Sequence, residues 1–248
     1  MNTENFDAIF FDLGGTLRLL VEDEAFQNDA LRNITRLLNT DAEPKAFCAL
    51  LDERYLDYRK WAFEEMKEAP ESELWTRWLA PEFPKDSVAA AAVELTIHYR
   101  NAKGRRVVAE HGADVIRELH RRGYTLGIIS NLITSKEIPD WLEADGLTPY
   151  FKSVLLSAVC GIRKPDPEMH RMAAREVGIS PERCVYVGDN VKRDVAGTKA
   201  AGFGAFLLFV EPGKTLKPAP EGCEPDAVLY DLAELLTMFP PRNLEAAI

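Results

Sequence analysis

The sequence has no stretch near the ~20 consecutive apolar residues that a membrane-spanning helix requires, so no membrane partner is expected. Its first residues, Met1-Asn2-Thr3-Glu4-Asn5, carry neither a basic n-region nor an apolar h-region, and a cytoplasmic location is expected. Cysteine is scarce. Cys48, Cys160, Cys184 and Cys223 lie far apart with no Cys-x-x-Cys pairing, which argues against a zinc site or a disulfide framework. His98, His111, His120 and His170 show no ligand spacing and are given no catalytic role. Positive charge is in deficit as well. A net charge of −10 leaves out the clustered Lys and Arg that a phosphate backbone demands, so no nucleic-acid partner is expected. Two short basic runs, Lys103-Gly104-Arg105-Arg106 and Arg121-Arg122, read as a solvated linker and a helix end. There is no internal repeat and no low-complexity tract.

What is present suits a globular core. Apolar residues make up 46% and charged residues 28% of 248, enough for one large domain or two modest ones. Short apolar runs read as strands at residues 8–11, 126–129, 154–156, 184–187, 205–209 and 227–229. Helical patterns lie between them. Around residues 113–122, Ile116 and Leu119 share a face and Gly123 ends the helix. Around 166–177, Met169, Met172, Ala173 and Val177 recur at helical spacing before Gly178, and Ser180-Pro181-Glu182 reads as a further helix start. Strands alternating with helices imply an α/β fold with a doubly wound parallel sheet, whose ligands bind at the carboxyl ends of the strands. Between residues 19 and 106 the strand signal disappears. Leu31, Ile34 and Leu38 share a helical face, 44–69 carries no internal Pro or Gly, and 89–99 is rich in helix formers. This is long for one crossover and reads as an inserted all-helical domain at 19–106, with the core domain formed by 1–18 and 107–248. Residues 218–222 read as a surface loop and those after Pro241 as a loose tail.

Four segments place reactive side chains after apolar strands. Ala8-Ile9-Phe10-Phe11 ends on Asp12, a carboxylate suited to act as nucleophile or metal ligand. The run 126–129 ends on Ser130-Asn131, a hydroxyl and an amide able to hold a phosphate oxygen. Gly161-Ile162-Arg163-Lys164-Pro165-Asp166-Pro167 offers an ammonium just before a helix. Gly188-Asp189-Asn190-Val191-Lys192-Arg193-Asp194 follows the run 184–187 with two acids. Each alone has a plainer reading as a turn, a surface lysine or a helix cap. Their order is what carries weight, since the topology sends all four to one edge of the sheet.

In that order the segments resemble the haloacid dehalogenase-like (HAD) hydrolases, in particular subfamily I members with a C1 helical cap inserted after the first strand. The resemblance covers nearly the whole chain and implies a Rossmann-like core. It assigns Asp12 as the nucleophile that becomes an aspartyl phosphate, Ser130 as the residue that hydrogen-bonds the phosphoryl group, beside which Asn131 is expected to bind substrate, and Lys164 as the cation that stabilises charge on nucleophile and phosphate. It implies one Mg²⁺ held by Asp12, Asp189, Asp194 and the backbone carbonyl of Gly14. A cation and an ammonium would offset the repulsion between a phosphoryl group and a carboxylate. The expected substrate is a small phosphorylated metabolite, and the expected assembly a monomer or homodimer.

One position departs from the family pattern Asp-x-Asp-x-Thr. Gly14 stands where the second aspartate acts as general acid and base, a function typically worth ~10²–10⁴-fold. As the family's ligand there is a carbonyl, the metal site is expected to be intact. Four readings follow: a phosphatase that is slow or recruits an acid such as Glu22, Asp23, Glu64 or Glu65; a phosphonate-cleaving type using a cap lysine among Lys45, Lys60, Lys67 and Lys85; a metal-free dehalogenase; or a binding protein without turnover. Mg²⁺-dependent phosphoryl hydrolysis is the reading preferred. The aromatics Tyr55, Tyr58, Trp61, Trp75 and Trp78 read as the core of the cap before substrate contacts. Arg18, close to the hinge, reads equally as a surface residue or as a contact for an anionic substrate.

Overall fold

The computed structural model describes residues 3–216 and 218–242. Eight strands occur among them: β1 (Ala8–Phe11), β2 (Arg18–Val21), β3 (Arg105–Val108), β4 (Thr125–Ser130), β5 (Phe151–Leu156), β6 (Cys184–Gly188), β7 (Ala205–Phe209) and β8 (Ala227–Leu229). Six of them form one parallel sheet in the order β5-β4-β1-β6-β7-β8. The chain builds outward from β1 in both directions, which makes the end of β1 the topological switch point where ligands of such sheets bind.

Parallel strands are covered on both faces, and this explains their unbroken apolar character. Successive side chains of β1 point to opposite sides. Ile9 and Phe11 enter the cluster under α5 (Gly112–Arg121) and α6 (Glu137–Ala144), while Ala8 and Phe10 enter the one under α8 (Pro167–Val177) and α9 (Ala196–Ala201). The β5 strand begins three residues before the apolar run at 154–156. It lies at the sheet edge, where exposed Lys152 interrupts the apolar pattern that marks a central strand.

The insertion holds α1 (Glu24–Leu37), α2 (Pro44–Glu64), the short α3 (Glu71–Glu73) running into a π-helical turn at Leu74–Leu79, and α4 (Lys85–Asn101). These pack around their own cluster, in which Tyr58 and Trp75 are fully buried. Tyr55, Trp61 and Trp78 are partly buried against it, and Trp75 donates to Thr96 Oγ1 at 2.8 Å. The helical pattern read from 44 to 69 stops earlier, at Glu64. Met66 takes a positive φ of 52°, and Lys67 pairs with Ile162 of the core instead.

The two ends of the insertion correct its all-helical reading. Residues 18–21 and 105–108 form an antiparallel two-stranded ribbon, β2 with β3, which the sequence pattern hides because each strand has only four residues and carries arginine. Arg106 is therefore no solvated linker residue; its side chain is only 17% exposed and faces Glu137. Residues 218–222 do lie at the surface, with only Ala219 half-buried. Of the tail after Pro241, Arg242 is tied down through its amide to Arg122 O at 2.9 Å, and residues 243–248 lie outside the described residues. No helix among the described residues is long and apolar enough to cross a membrane.

Candidate active site

Asp12 follows β1 directly and is 2% exposed. Its backbone N–H donates to Val187 O at 2.8 Å, so β6 holds it in place. Oδ1 accepts from the Leu13 amide at 2.8 Å and from Ser130 Oγ at 2.9 Å. Ser130 ends β4, the parallel neighbour of β1, and strand pairing therefore sets the hydroxyl beside the carboxylate. Oδ2 faces Lys164 Nζ at 3.1 Å.

Lys164 is buried on a loop between α7 (Ser157–Cys160) and α8. Its Nζ also meets Asp194 Oδ1 at 3.0 Å and donates to the Tyr186 hydroxyl, which donates onward to Ile129 O at 2.8 Å. Asn131 grips the backbone of this loop: its Oδ1 accepts from Lys164 N at 2.8 Å and its Nδ2 donates to Lys164 O at 2.9 Å. The amide expected to touch phosphate thus has both ends engaged with Lys164, and its geometry is that of a positioning residue. Tyr186 escaped the sequence reading because a tyrosine inside an apolar strand reads as core.

Asp189 follows β6 directly, and Asp194 lies in the π-helical turn Val191–Val195 just beyond it. Two glycines let their carboxylates approach the backbone. Gly15 has φ +78° and a Cβ there would stand 2.5 Å from Asp189 Oδ2; a Cβ on Gly188 would stand 2.7 Å from Asp194 Oδ2. Burial, with the Asp12 charge next in weight, pushes the Asp189 carboxyl up to about 6. Burial acts the same way on Asp194, but the Lys164 and Arg193 charges outweigh it and hold that carboxyl below the usual range.

Asp12, Asp189 and Asp194 each bring an oxygen within 4.8 Å of the others, a hard donor set of the kind divalent cations take. A side chain not foreseen from the sequence lies among them. Arg193 Nη2 is 2.6 Å from Asp12 Oδ2, 3.2 Å from Asp189 Oδ1 and 3.3 Å from Asp194 Oδ2, and its Nε is 3.0 Å from Asp194 Oδ1. Burial disfavours its charge, but Asp194 and Asp12 overcome this and drive its affinity for the proton well above the ordinary value. The donor set fits a metal, yet the chain places its own cation there. The available signal was a basic residue four positions after Asp189 and next to Asp194.

A cavity of about 170 Å³ opens above Asp12, Gly14 and Ser130. A Cβ on Gly14 would meet nothing within 4 Å, so the space of the missing carboxylate stays open. Its far wall is basic. Arg18, Arg100 and Arg106 converge on Glu137, Arg18 Nη1 at 3.5 Å and Arg106 Nε at 3.7 Å, and the Arg18 side chain is only 11% exposed. Arg18 is therefore no surface residue. Burial, with repulsion from Arg100, lowers Arg106 to about 10. Glu22, Glu64 and Glu65 are exposed, and Asp23 caps α1 by accepting from Phe26 N at 3.1 Å; none lines the cavity. Lys45, Lys60, Lys67 and Lys85 are exposed and also outside it. His170 is buried against Tyr186 and Phe203, away from the cavity.

The sequence is 37% identical over 118 residues to a phosphoserine phosphatase of Thermus thermophilus, covering 48% of this chain and 45% of that protein. It is 33% identical over 123 residues to a phosphoglycolate phosphatase of Vibrio vulnificus, covering 50% and 52%. The chain thus spans about half the length of these curated relatives. A 2-haloacid dehalogenase from Pseudomonas syringae pv. tomato shares the fold, with a TM-score of 0.68 at 22% identity over 94% of this chain and 97% of that one. The family model of the haloacid dehalogenase-like hydrolases matches residues 6–202. With that match spanning most of the chain, and with a carboxylate at the switch point of a parallel sheet, the protein belongs to the haloacid dehalogenase-like hydrolases.

Proposed function

We propose that the chain is a phosphoric monoester hydrolase acting on a small phosphorylated metabolite. Asp12 attacks the phosphoryl group, the ester P–O bond breaks and the departing oxygen takes its proton from solvent, and water then hydrolyses the aspartyl phosphate to release phosphate and restore the carboxylate. The observation that carries this reading is the pairing of the Asp12 carboxylate with Ser130 and Lys164 at the switch point of the sheet. Ser130 and the Leu13 amide orient the carboxylate. Lys164, kept in place by Asn131, Tyr186 and Asp194, offsets the charge that gathers as nucleophile and phosphate meet. Asp12, Asp189 and Asp194, with the Gly14 carbonyl, would hold Mg²⁺ once Arg193 yields its place. When bound, the ion neutralises phosphoryl charge.

With glycine at position 14, no positioned acid protonates the leaving group. Glu137 is the other carboxylate lining the cavity among the described residues, and burial opposes its charge while three arginines keep it ionised. Substrates with good leaving groups are therefore turned over best. Residues 19–106 act as a lid that shields the reaction from water. The test is phosphate release across aryl, acyl and sugar phosphates, with Mg²⁺ and with chelator. Metal-dependent release that is lost in Asp12→Asn supports the reading, and unchanged release in that variant overturns it.

A second reading is favoured by the Arg193 guanidinium and the open space at Gly14. It keeps Asp12 as nucleophile but directs it at a carbon–halogen bond, where halide leaves without an acid. Halide release from a short 2-haloacid in the presence of chelator separates the two.

A further inference from the structure

A single nitrogen of Arg193 lies within 3.3 Å of an oxygen from each of Asp12, Asp189 and Asp194. A position from which a cation reaches all three carboxylates is thus already filled. Charge counting gives the same result. Three carboxylates face two cations, Lys164 and Arg193, which leaves one formal negative charge. A dication in place of the guanidinium would leave none, whereas a dication added beside it would leave an excess positive charge in a buried site.

The chain also has the means to vacate the position. Arg193 sits in the π-helical turn Val191–Val195 ahead of α9, and its amide donates to Asn190 Oδ1 at 3.0 Å. This fixes the backbone whatever the side chain does. Asp194 is held separately, through the Asn190 amide at 3.1 Å and Lys164 at 3.0 Å, so it does not depend on Arg193 for its place. The Arg193 side chain is 29% exposed, unlike Lys164 and Asp194, which have none of their side-chain surface free. It can swing outward without opening the core.

We propose that Arg193 is a built-in competitor for the cation position: its guanidinium and a divalent ion exclude each other at Asp12, Asp189 and Asp194. The proposal rests on the reading of these carboxylates as a cation site, and not on any turnover. Divalent binding to the unsubstituted protein must displace several charge-assisted hydrogen bonds, which makes it weak. Removing the guanidinium removes the competition.

The test is calorimetric titration of the full chain with Mn²⁺ and with Mg²⁺, after chelator treatment and without substrate. Arg193→Ala and Arg193→Gln are compared with the unsubstituted protein, and thermal unfolding without metal checks folding. Both variants are expected to bind Mn²⁺ at least about tenfold more tightly. Methylguanidinium is expected to compete with Mn²⁺ in Arg193→Ala and to have no effect on the unsubstituted protein. Equal or weaker binding in the variants overturns the proposal, as does no binding by any of the proteins. Should Arg193→Ala fail to fold, Arg193→Gln carries the same reading by removing charge while keeping the stem as far as Cδ. Tighter metal binding without any phosphate release would overturn the phosphatase reading and leave this one standing.

Discussion

The two oxygens of Asp12 have different surroundings. Oδ1 is held by neutral donors at strand ends, the Leu13 amide at 2.8 Å and Ser130 Oγ at 2.9 Å. Oδ2 meets two cations from outside the sheet, Lys164 Nζ of a loop at 3.1 Å and Arg193 Nη2 of the π-helical turn at 2.6 Å. The neutral side orients the carboxylate and is as rigid as the sheet that carries it. The charged side sets how negative the pocket is when a phosphoryl group arrives, and it depends on side chains that can be exchanged or displaced. The lesson is that orientation and charge compensation are built by separate parts of the fold, so each can change without the other.

The sharpest break of that comparison is to remove the group both sides share. Asp12→Asn keeps the shape and the Oδ1 contacts but loses the nucleophile, and phosphate release is expected to fall by roughly 10⁴-fold or more. Steady-state kinetics on an aryl phosphate checks it. The next effect lies on neither oxygen. Gly14→Asp fills space that is open for a side chain, and it is expected to raise kcat/KM, which reports loss of the leaving group, about 10²-fold for sugar phosphates and much less for aryl phosphates. Equal gains on both substrates would count against a missing acid as the limitation.

The charged side was the harder one to read from the sequence. Asp12, Ser130, Lys164, Asp189 and Asp194 were recognisable because each follows an apolar run whose carboxyl end must reach one edge of the sheet. Arg193 was not, since strand periodicity says nothing of where a long side chain turns in the helical turn beyond a strand. Asn131 lines the cavity, but its two bonds to the Lys164 backbone were not legible, as an amide fits phosphate and backbone equally well. The α/β alternation was legible from apolar runs that parallel pairing keeps buried on both faces. The β2–β3 ribbon was hidden by its length and its arginines, and with it the basic wall formed by Arg18, Arg100 and Arg106.

Two smaller perturbations sharpen the contrast through stability. Lys164→Met leaves the buried Asp12 and Asp194 without their shared ammonium and is expected to cost about 3 kcal/mol in urea unfolding. Ser130→Ala, on the neutral side, is expected to cost only about 1 kcal/mol. Beneath the charged side, His170 packs edge-on to the Tyr186 ring at 5.0 Å, and burial, with the Lys164 charge next, lowers it to about 3. A histidine depressed in the folded state takes up its proton first on unfolding, so stability falls as pH drops from about 6.5 towards 3. The loss attributable to this group is about 2 kcal/mol at pH 5, and His170→Phe is expected to flatten that part of the pH–stability curve.

The most direct test of the account is to look for the phosphoryl group on Asp12 itself. The protein is mixed with an aryl phosphate, quenched in acid, and its peptides are weighed by mass spectrometry. Because Gly14 supplies no base to activate water, the aspartyl phosphate is expected to accumulate. One phosphoryl group should appear on the peptide containing Asp12 in the unsubstituted protein and vanish in Asp12→Asn. Phosphate released at an undiminished rate by Asp12→Asn, with no phosphoryl group ever found on that peptide, would contradict the central claim that Asp12 is the nucleophile.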